Sequence, residues 1–157
     1  MQGNAAFMEQ AIALATANAV TGAGGPFGAV IVRDGKVIAT GVNCVTATND
    51  PTAHAEVMAI RKACAALQSF SLKGCAIYAS CEPCPMCLAA IYWAHCDAIF
   101  YGGTSEDAAC AGFDDARLYS EASLPVAERA IPTINMLRDK ALASFDAWRS
   151  SAHRIEY

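Results

Sequence analysis

Three cysteines stand at three-residue intervals in the stretch SCEPCPMC, which runs from Ser80 to Cys87. Thiolates are soft ligands and strong nucleophiles, so Cys81, Cys84 and Cys87 are the residues in this chain with the most evident chemistry. Their spacing fits a redox C-x-x-C pair, the beginning of an iron–sulfur run, or half of a zinc site. The spacing alone leaves these three kinds of site open.

A second motif, PTAHAEV, lies upstream and narrows the choice. It places His54 and Glu56 where a loop becomes a helix, while Cys84 and Cys87 lie where a strand becomes the next helix. Two such helix starts converge at one end of an α/β sheet. Cys84 and Cys87 are one helical turn apart and share a face, whereas Cys81 still belongs to the strand. We therefore predict His54, Cys84 and Cys87 as three zinc ligands, with the fourth position left for water, as in catalytic sites.

The two motifs together match the H-x-E and P-C-x-x-C signature of zinc-dependent nucleobase deaminases, in His54-Ala55-Glu56 and Pro83 to Cys87. Zinc lowers the pKa of a bound water to about 7 and so supplies hydroxide at neutral pH. Glu56 is not needed as a ligand. It is predicted to take a proton from the water, pass one to a ring nitrogen and return one to the departing amino group.

The elements that hold these residues follow from hydrophobic periodicity and turn signals. Asp34-Gly35 predicts a hairpin, and Thr133–Leu137 a short further strand. The order predicts an α/β fold with three α/β/α layers around a mixed central sheet of about five strands. The remaining expected elements are helices over Phe7–Val20, Thr52–Leu67, Cys84–Ala94 and Lys140–Ala152, with strands over Cys75–Ser80 and Asp97–Gly102.

The faces of two of these helices can also be predicted from the spacing of their apolar residues. The first helix should place Met8, Ile12, Ala15 and Ala19 on one side, and the second should turn Val57, Ile60 and Leu67 to the core.

Composition limits the possible classes of protein. The chain has 157 residues, 55% of them apolar, and a net charge of −4 with no basic run beyond two residues. We expect one globular domain over residues 1–157, no nucleic-acid partner and no membrane span, because phosphate binding needs a basic surface and a span needs about 18 apolar residues. Eight cysteines without a signal peptide indicate a cytoplasmic protein whose other thiols are packing groups.

Nearly the whole chain resembles the bacterial guanine deaminases of the cytidine deaminase fold. The zinc motifs are shared by many deaminases, while AGFDD and the end of the chain point to guanine. The resemblance is carried by GGPFGAVIV, NDPTAHAEV, SCEPCPMC, AIYWA, AGFDD, FDAWR and Glu156-Tyr157.

The resemblance implies hydrolysis of guanine to xanthine and ammonia, with one Zn²⁺ per subunit and a small purine as the only partner besides a second copy of the chain. By position, Phe27 would stack on the purine, Asn43 would bind its edge and Trp93 would wall the pocket. Asp115 would be a second catalytic acid beside Glu56. Members of the family are homodimers that exchange segments corresponding to about residues 130–157, so Tyr157 would close the pocket of the partner.

Several alternatives stay open at this level. Phe27 and Trp93 also fit core positions, Asn43 fits a turn, and Asp114 competes with Asp115 for the role of the acid. A guanosine deaminase or a tRNA adenosine deaminase would carry the same zinc motifs. A redox or structural zinc module, from a different class of protein, would use all three cysteines and would not need Glu56.

Overall fold

The computed structural model describes residues 2–157, which form two compact units. The first unit ends at Asp115 and the second covers Ala116–Tyr157. The first unit holds every strand, all three predicted metal ligands and both candidate acids. Within the described residues, no helix combines the length and the apolar character that crossing a lipid bilayer requires.

The sheet of the first unit has four strands among the described residues, in the order β2-β1-β3-β4. β1 runs antiparallel to both β2 and β3, while β3 and β4 are parallel, so the predicted mixed sheet is confirmed with one strand fewer than expected. The strands are β1 (Gly28–Arg33), β2 (Lys36–Val42), β3 (Cys75–Cys81) and β4 (Ala98–Gly103).

The turn between β1 and β2 is the one that the sequence predicts. Asp34 and Gly35 both have positive φ angles, +50° and +72°. Two consecutive residues of this conformation match the twist of a two-residue antiparallel hairpin, which is why Asp-Gly is favoured there. The hairpin fixes the register that brings the first residue of β1 opposite the last residue of β2.

Helices cover both faces of the sheet and give the three expected layers. α1 packs on one face through a cluster that includes Val30 and Tyr78, and α3 packs on the other face around Ile31 and Ile77. His54 precedes α3 as its N-cap, so this helix begins three residues later than predicted. The helices of this unit are α1 (Ala5–Val20), α2 (Val45–Thr48), α3 (Ala55–Leu67), α4 (Pro85–Trp93) and α5 (Ser105–Cys110).

The buried face of α1 differs from the prediction. Its buried residues are Ala11, Ala15 and Asn18, whereas Ile12 is 45% exposed. The reason is a close approach of the helix to β1: a Cβ on Gly28 would lie 2.4 Å from the carbonyl oxygen of Ala11. At this separation only small side chains fit between helix and strand, so the larger apolar residues are displaced to the edges of the contact.

α3 approaches the sheet in the same way. A Cβ on Gly41 of β2 would lie 2.1 Å from the carbonyl oxygen of Ala55. The fully buried positions of α3 are accordingly alanines, among them Ala59 and Ala63, and the predicted core residue Ile60 is only half-buried. The glycine in β2 therefore brings the first turn of α3, which carries Glu56, tightly against the sheet.

The second unit consists of α6 (Ala116–Ser123), a 3₁₀ turn (Val126–Glu128) and α7 (Arg138–Ser150). The predicted last helix is confirmed, two residues earlier than expected. The predicted strand over Thr133–Leu137 is wrong for the single chain, because a strand requires a hydrogen-bonded neighbour and these residues belong to no sheet. They leave Ile134 and Met136 more than three-quarters exposed.

Candidate active site

The predicted site residues of the first unit gather at one edge of the sheet. The register pairs Gly28 with Val42 and Cys81 with Gly103, so the beginning of β1 and the ends of β2, β3 and β4 lie side by side. Phe27 immediately precedes β1, and Asn43 immediately follows β2. The loops that carry chemistry thus leave the sheet at the same edge.

α3 brings His54 and Glu56 to this edge. The amide of Cys44 donates to the carbonyl of Ala53 at 2.9 Å, which ties the end of β2 to the residue before His54. His54 is the N-cap residue with an extended backbone, and Glu56 lies in the first turn of the helix, 7% exposed. Local sequence therefore places the imidazole and the carboxyl group two residues apart at a helix N-terminus.

α4 brings two of the three cysteines to the same place. Cys84 is the N-cap residue of this helix, and Pro85 occupies its first position, where a missing backbone N–H has no cost. Cys87 follows one turn later and is buried. Because residues three apart share a helix face, both thiols point towards the start of α3.

His54, Cys84 and Cys87 form a compact group of potential metal ligands. One ligand atom from each lies within 4.8 Å of the other two. The Nδ1 atom of His54 is 3.7 Å from Sγ of Cys84 and 3.5 Å from Sγ of Cys87. Tetrahedral zinc with ordinary Zn–N and Zn–S bonds requires N···S separations of about 3.6 Å. The donor set and its spacing fit zinc, and three protein ligands leave one tetrahedral position open.

The two thiols of the group have opposite acidities in the metal-free chain. A hydrogen bond from Cys87 lowers the pKa of Cys84 to about 4. The same contact, together with burial, raises the pKa of Cys87. The contact with Cys84 also raises the pKa of His54. One thiolate is thus ready for the metal, whereas Cys87 and, below its raised pKa, His54 must each release a proton on binding.

This arrangement predicts a steep dependence of zinc affinity on pH. Above the pKa of His54, zinc displaces one proton, and the apparent affinity for zinc should rise about tenfold per pH unit. Below that pKa, zinc displaces two protons, and the affinity should rise by up to about a hundredfold per pH unit. Chelator competition at a series of pH values measures the slope, and proton release on adding zinc gives the same number independently. A flat profile would contradict the assignment of these three ligands.

Cys81 lies outside the ligand group. Its Sγ donates towards the carbonyl oxygen of Thr104 at 3.4 Å, and burial raises the pKa of its thiol. Among the described residues, the only three-member group that could hold a metal contains His54, Cys84 and Cys87. The last residue of β3 therefore directs its side chain to the loop after β4, as its place on the strand predicts.

Glu56 has the environment of a proton carrier. Burial raises the pKa of its carboxyl group, and the carboxyl hydrogen-bonds with the thiol of Cys87. A carboxyl group whose pKa moves towards neutrality can both accept and return a proton at working pH. Its contact with a ligand places it beside the position where a metal-activated water would react.

The charge of the metal ligand Cys84 acts on Asp115, one of the two candidates for the second acid. Burial raises the pKa of the half-buried Asp115, and the negative charge of Cys84 raises it further. Asp114 is exposed. Burial and the charge of Cys84 favour Asp115 as the second acid, and its role stays a prediction.

Phe27 and Asn43 are neighbours at the edge of the sheet. The amide of Asn43 donates to the carbonyl of Phe27 at 3.1 Å, and the Asn43 side chain is 8% exposed. The ring of Phe27 meets the ring of Phe113 edge-on, with centroids 4.9 Å apart. The ring of Phe27 thus lies at the same edge of the sheet as Asn43, whose side-chain oxygen accepts from the amide of Val45 at 3.3 Å, and the AGFDD loop contacts the ring.

Trp93 and Tyr157 are the two remaining residues of the predicted pocket. Trp93 ends α4 and lies nine residues from Cys84, roughly 13 Å along the helix axis, and its place in the pocket wall stays a prediction. Tyr157 belongs to the second unit. Its predicted role concerns the pocket of another copy and stays a prediction.

Sequence reasoning missed several residues that support the site. Ser80 accepts a hydrogen bond from the amide of Gly28, and Glu82 accepts one from the amide of Ser105. Asn18 of α1 is buried, although the helix presents mainly alanine to the sheet. The sequence does hold a signal for Asn18: it lies on the same helical stripe as Ala11 and Ala15, and a polar residue on a buried stripe requires hydrogen-bond partners.

The comparisons with known proteins agree with the chemistry of the site. Residues 1–103 match the family described as the cytidine and deoxycytidylate deaminase zinc-binding region. The chain belongs to this family of zinc-binding deaminases. Within it, the chain belongs with the bacterial guanine deaminases: it is 54% identical to guanine deaminase of Bacillus subtilis over 151 residues, which cover 96% of this chain and 97% of the relative.

Two further relatives show how the likeness is distributed. A crystal structure of Bacillus subtilis guanine deaminase superposes with a TM-score of 0.96, at 52% identity, covering 99% of each chain. The tRNA-specific adenosine deaminase of Agrobacterium fabrum is 49% identical, but over 77 residues, 49% of this chain and 51% of the relative. The likeness to the guanine deaminase thus includes the second unit, whereas the sequence likeness to the Agrobacterium fabrum enzyme covers about half of the chain.

Proposed function

We propose that this protein hydrolyses guanine to xanthine and ammonia with one zinc ion per chain. The observation that carries the proposal is the likeness to a guanine deaminase through both units, 96% of the chain. The His54, Cys84 and Cys87 group supports the reaction type, and the extent of the likeness supports the substrate.

The rival substrates have less support. The sequence likeness to a tRNA-specific adenosine deaminase covers 49% of the chain, and a tRNA:A34 deaminase structure superposes with a TM-score of 0.64 against 0.96 for the guanine deaminase. A net charge of −4 also opposes binding to a phosphate backbone. Guanosine would use the same zinc chemistry but needs room for a ribose. We favour the free base because its small pocket can be closed by a terminal segment such as the one that ends in Tyr157.

The roles of the residues follow from their chemistry. His54, Cys84 and Cys87 would hold a zinc ion that would supply an activated water at neutral pH. Glu56 would take one proton from this water and return it to the departing amine. Phe27 offers a ring face for stacking the purine, and the Asn43 amide offers a donor and an acceptor for its edge.

Asp115 would act as the second acid in this scheme. The C2 carbon of guanine lies between two ring nitrogens and bears the amino group, so it is a poor electrophile until the ring is protonated. Asp115, whose pKa is raised by burial, would donate that proton to the ring, and the second proton of the water would restore it. This role is separate from that of Glu56, which serves the water and the amine.

Replacing Asp115 tests this role. We expect Asp115→Asn to lower kcat for guanine by about 10²-fold with unchanged zinc content, because an amide cannot donate an acidic proton. The matched control is Asp114→Asn, a change of the same size on the exposed neighbour, which should keep kcat within about threefold of the parent. Steady-state xanthine formation measures both variants. Full activity of Asp115→Asn, or the reverse ranking of the two, would remove the proposed role.

The function itself is tested by ammonia release from the zinc-loaded protein. The substrates are guanine, guanosine, adenine, cytosine and cytidine, with an anticodon hairpin assayed for inosine. The proposal requires the highest kcat/KM for guanine. Activity on another base alone would keep the zinc chemistry and reject the substrate, and no activity in protein that retains zinc would favour a structural or redox role.

We further propose that the protein is a homodimer that exchanges the segment of about residues 130–157. Three features support this: Ile131, Ile134 and Met136 are each more than 75% exposed, β4 is an edge strand, and residues 132–137 have no regular secondary structure. Exposed apolar residues on this scale indicate a surface that is covered in the assembly. The open edge of β4 offers a fifth strand a place to pair.

Complementation distinguishes exchange from a simple dimer. A Glu56→Gln chain lacks the proton carrier, and a chain that ends at Ser151 lacks Tyr157. If each tail completes the pocket of the partner, the mixed dimer gains one complete site, and activity exceeds that of either homodimer. An inactive mixed dimer, verified by native mass spectrometry, would contradict the exchange.

The cytoplasm is the compartment we propose for this enzyme. All eight cysteines are free thiols. Two of them are required as metal ligands in the proposed site, and a reducing compartment keeps such thiols available for zinc.

A further inference from the structure

Asn18 is an anomaly on the buried face of α1. The helix presents Ala11, Ala15 and Asn18 to the interior, at the spacing of one helical stripe, and Asn18 is 7% exposed. Burying an amide in an apolar interface is costly unless hydrogen bonds replace those it makes with water. The reason for an asparagine at this position must therefore lie in what it binds.

The amide of Asn18 joins the two loops that carry the proposed base contacts. Its Nδ2 donates to the carbonyl oxygen of Gly25 at 2.9 Å and to the carbonyl oxygen of Asn43 at 2.9 Å. The carbonyl of Gly25 also accepts from the amide of Phe27 at 2.8 Å. One side chain thus holds the loop before β1 and the residue after β2 at a fixed separation.

The backbone packs closely around the Asn18 amide. A Cβ on Gly24 would lie 2.2 Å from the carbonyl oxygen of Asn43 and 2.8 Å from Nδ2 of Asn18. On the next residue, a Cβ on Gly25 would lie 3.3 Å from the ring of Phe27 and 3.5 Å from the side-chain carbon of Asn43. Two glycines therefore let both loops close around the Asn18 amide.

We infer that Asn18 is a positioning residue that sets the geometry of the base pocket by fixing Phe27 and Asn43 relative to each other. The inference rests on the proposed function for the identity of the base. Asn18 touches neither the metal ligands nor Glu56 through any of these bonds. Its loss should therefore weaken binding of the base and leave the chemical step nearly intact.

Two variants of similar size test the inference in the zinc-loaded, full-length protein. Asn18→Leu fits an apolar stripe but cannot donate, and Asn18→Asp keeps the shape but places an acceptor against two carbonyls. Both should raise KM for guanine about tenfold or more, with kcat within about threefold and with unchanged zinc content. Asn18→Ser, a smaller change, serves if either variant fails to fold.

The matched control is Leu72→Ala, which opens a fully buried site just before β3, at the end of that strand opposite Cys81. It should lower the melting temperature and leave KM within about twofold. A KM for the Asn18 variants within about twofold of the parent, or a fall in kcat alone, would overturn the inference. So would a rise in KM that Leu72→Ala reproduces at equal stability.

Hydrogen exchange provides a second measurement that does not depend on the substrate. Peptides over residues 22–28 and 43–45 should exchange about tenfold faster in the Asn18 variants than in the parent and in Leu72→Ala. Unchanged exchange there would overturn the inference even if KM rises. If the parent does not deaminate guanine, the proposed function fails on that observation, and the exchange data decide on Asn18 alone.

Discussion

A Glu56→Gln protein is expected to bind zinc like the parent and to lose at least about 10³-fold in kcat for guanine. The amide keeps the size and much of the polarity of the carboxyl group but cannot carry protons, and general acid–base catalysis contributes about 10² to 10⁴-fold. Glu56 serves two transfers, from the water and to the amine, so its loss should lie in the upper part of this range. Stopped-flow or steady-state kinetics of xanthine formation measure this loss of kcat, with the zinc content quantified in the same sample.

Stability separates this loss from misfolding. Burial raises the pKa of Glu56, which means that the metal-free fold is penalised for the charged carboxylate at any pH above the carboxyl's unfolded value. Glutamine removes that charge, so metal-free Glu56→Gln should unfold at the same or a higher denaturant concentration. Glu106→Gln, an exposed change in the first turn of α5, is the control and should alter neither property. Parent-like activity of Glu56→Gln would refute a proton-carrying role.

The metal group could be predicted from sequence because its geometry is local. His54 and Glu56 are held by one helix start and Cys84 and Cys87 by another, so short motifs determine each half. The α/β order then determines that both halves meet at one edge of the sheet. The chemistry of the donors and their positions in the fold thus pointed to the same site before any distance was known.

Other features depended on contacts that periodicity does not contain. α1 and α3 approach the sheet through Gly28 and Gly41, and this closeness selects alanine over Ile12 as the buried residue. The strand predicted over Thr133–Leu137 has the right residues but belongs to no sheet among residues 2–157. Secondary-structure propensity describes the conformation that a segment favours by itself. The contacts that decide which conformation it adopts come from residues distant in the sequence.

The burial of Glu56 also bears on the alternative of a structural zinc or redox module. A closed zinc site needs four protein ligands and gains nothing from a nearly buried carboxyl group beside a thiol. In this chain Glu56 is 7% exposed and contacts Cys87. A group that is costly to bury and does not complete the ligand set is more simply explained by catalysis.

Serine substitution of the three cysteines is expected to divide them into two classes. Structural zinc binding in small proteins is worth about 10–16 kcal/mol, so one ligand of three or four carries roughly 3–4 kcal/mol, or about 10²- to 10³-fold in affinity. Cys84→Ser and Cys87→Ser should each show a loss of this order in chelator competition. Cys81→Ser should bind zinc within about threefold of the parent, like the exposed control Cys110→Ser, because the Cys81 thiol contacts Thr104.

The opposite result for Cys81 would change the mechanism. If Cys81→Ser lost zinc as severely as the other two, the metal would have four protein ligands and no position for water. Glu56 would then have no water to deprotonate, and hydrolysis at this site would require a ligand to leave. If Cys81→Ser binds zinc like the parent, the fourth coordination position stays open for water. The buried carboxyl group of Glu56, beside Cys87, then has a water to deprotonate.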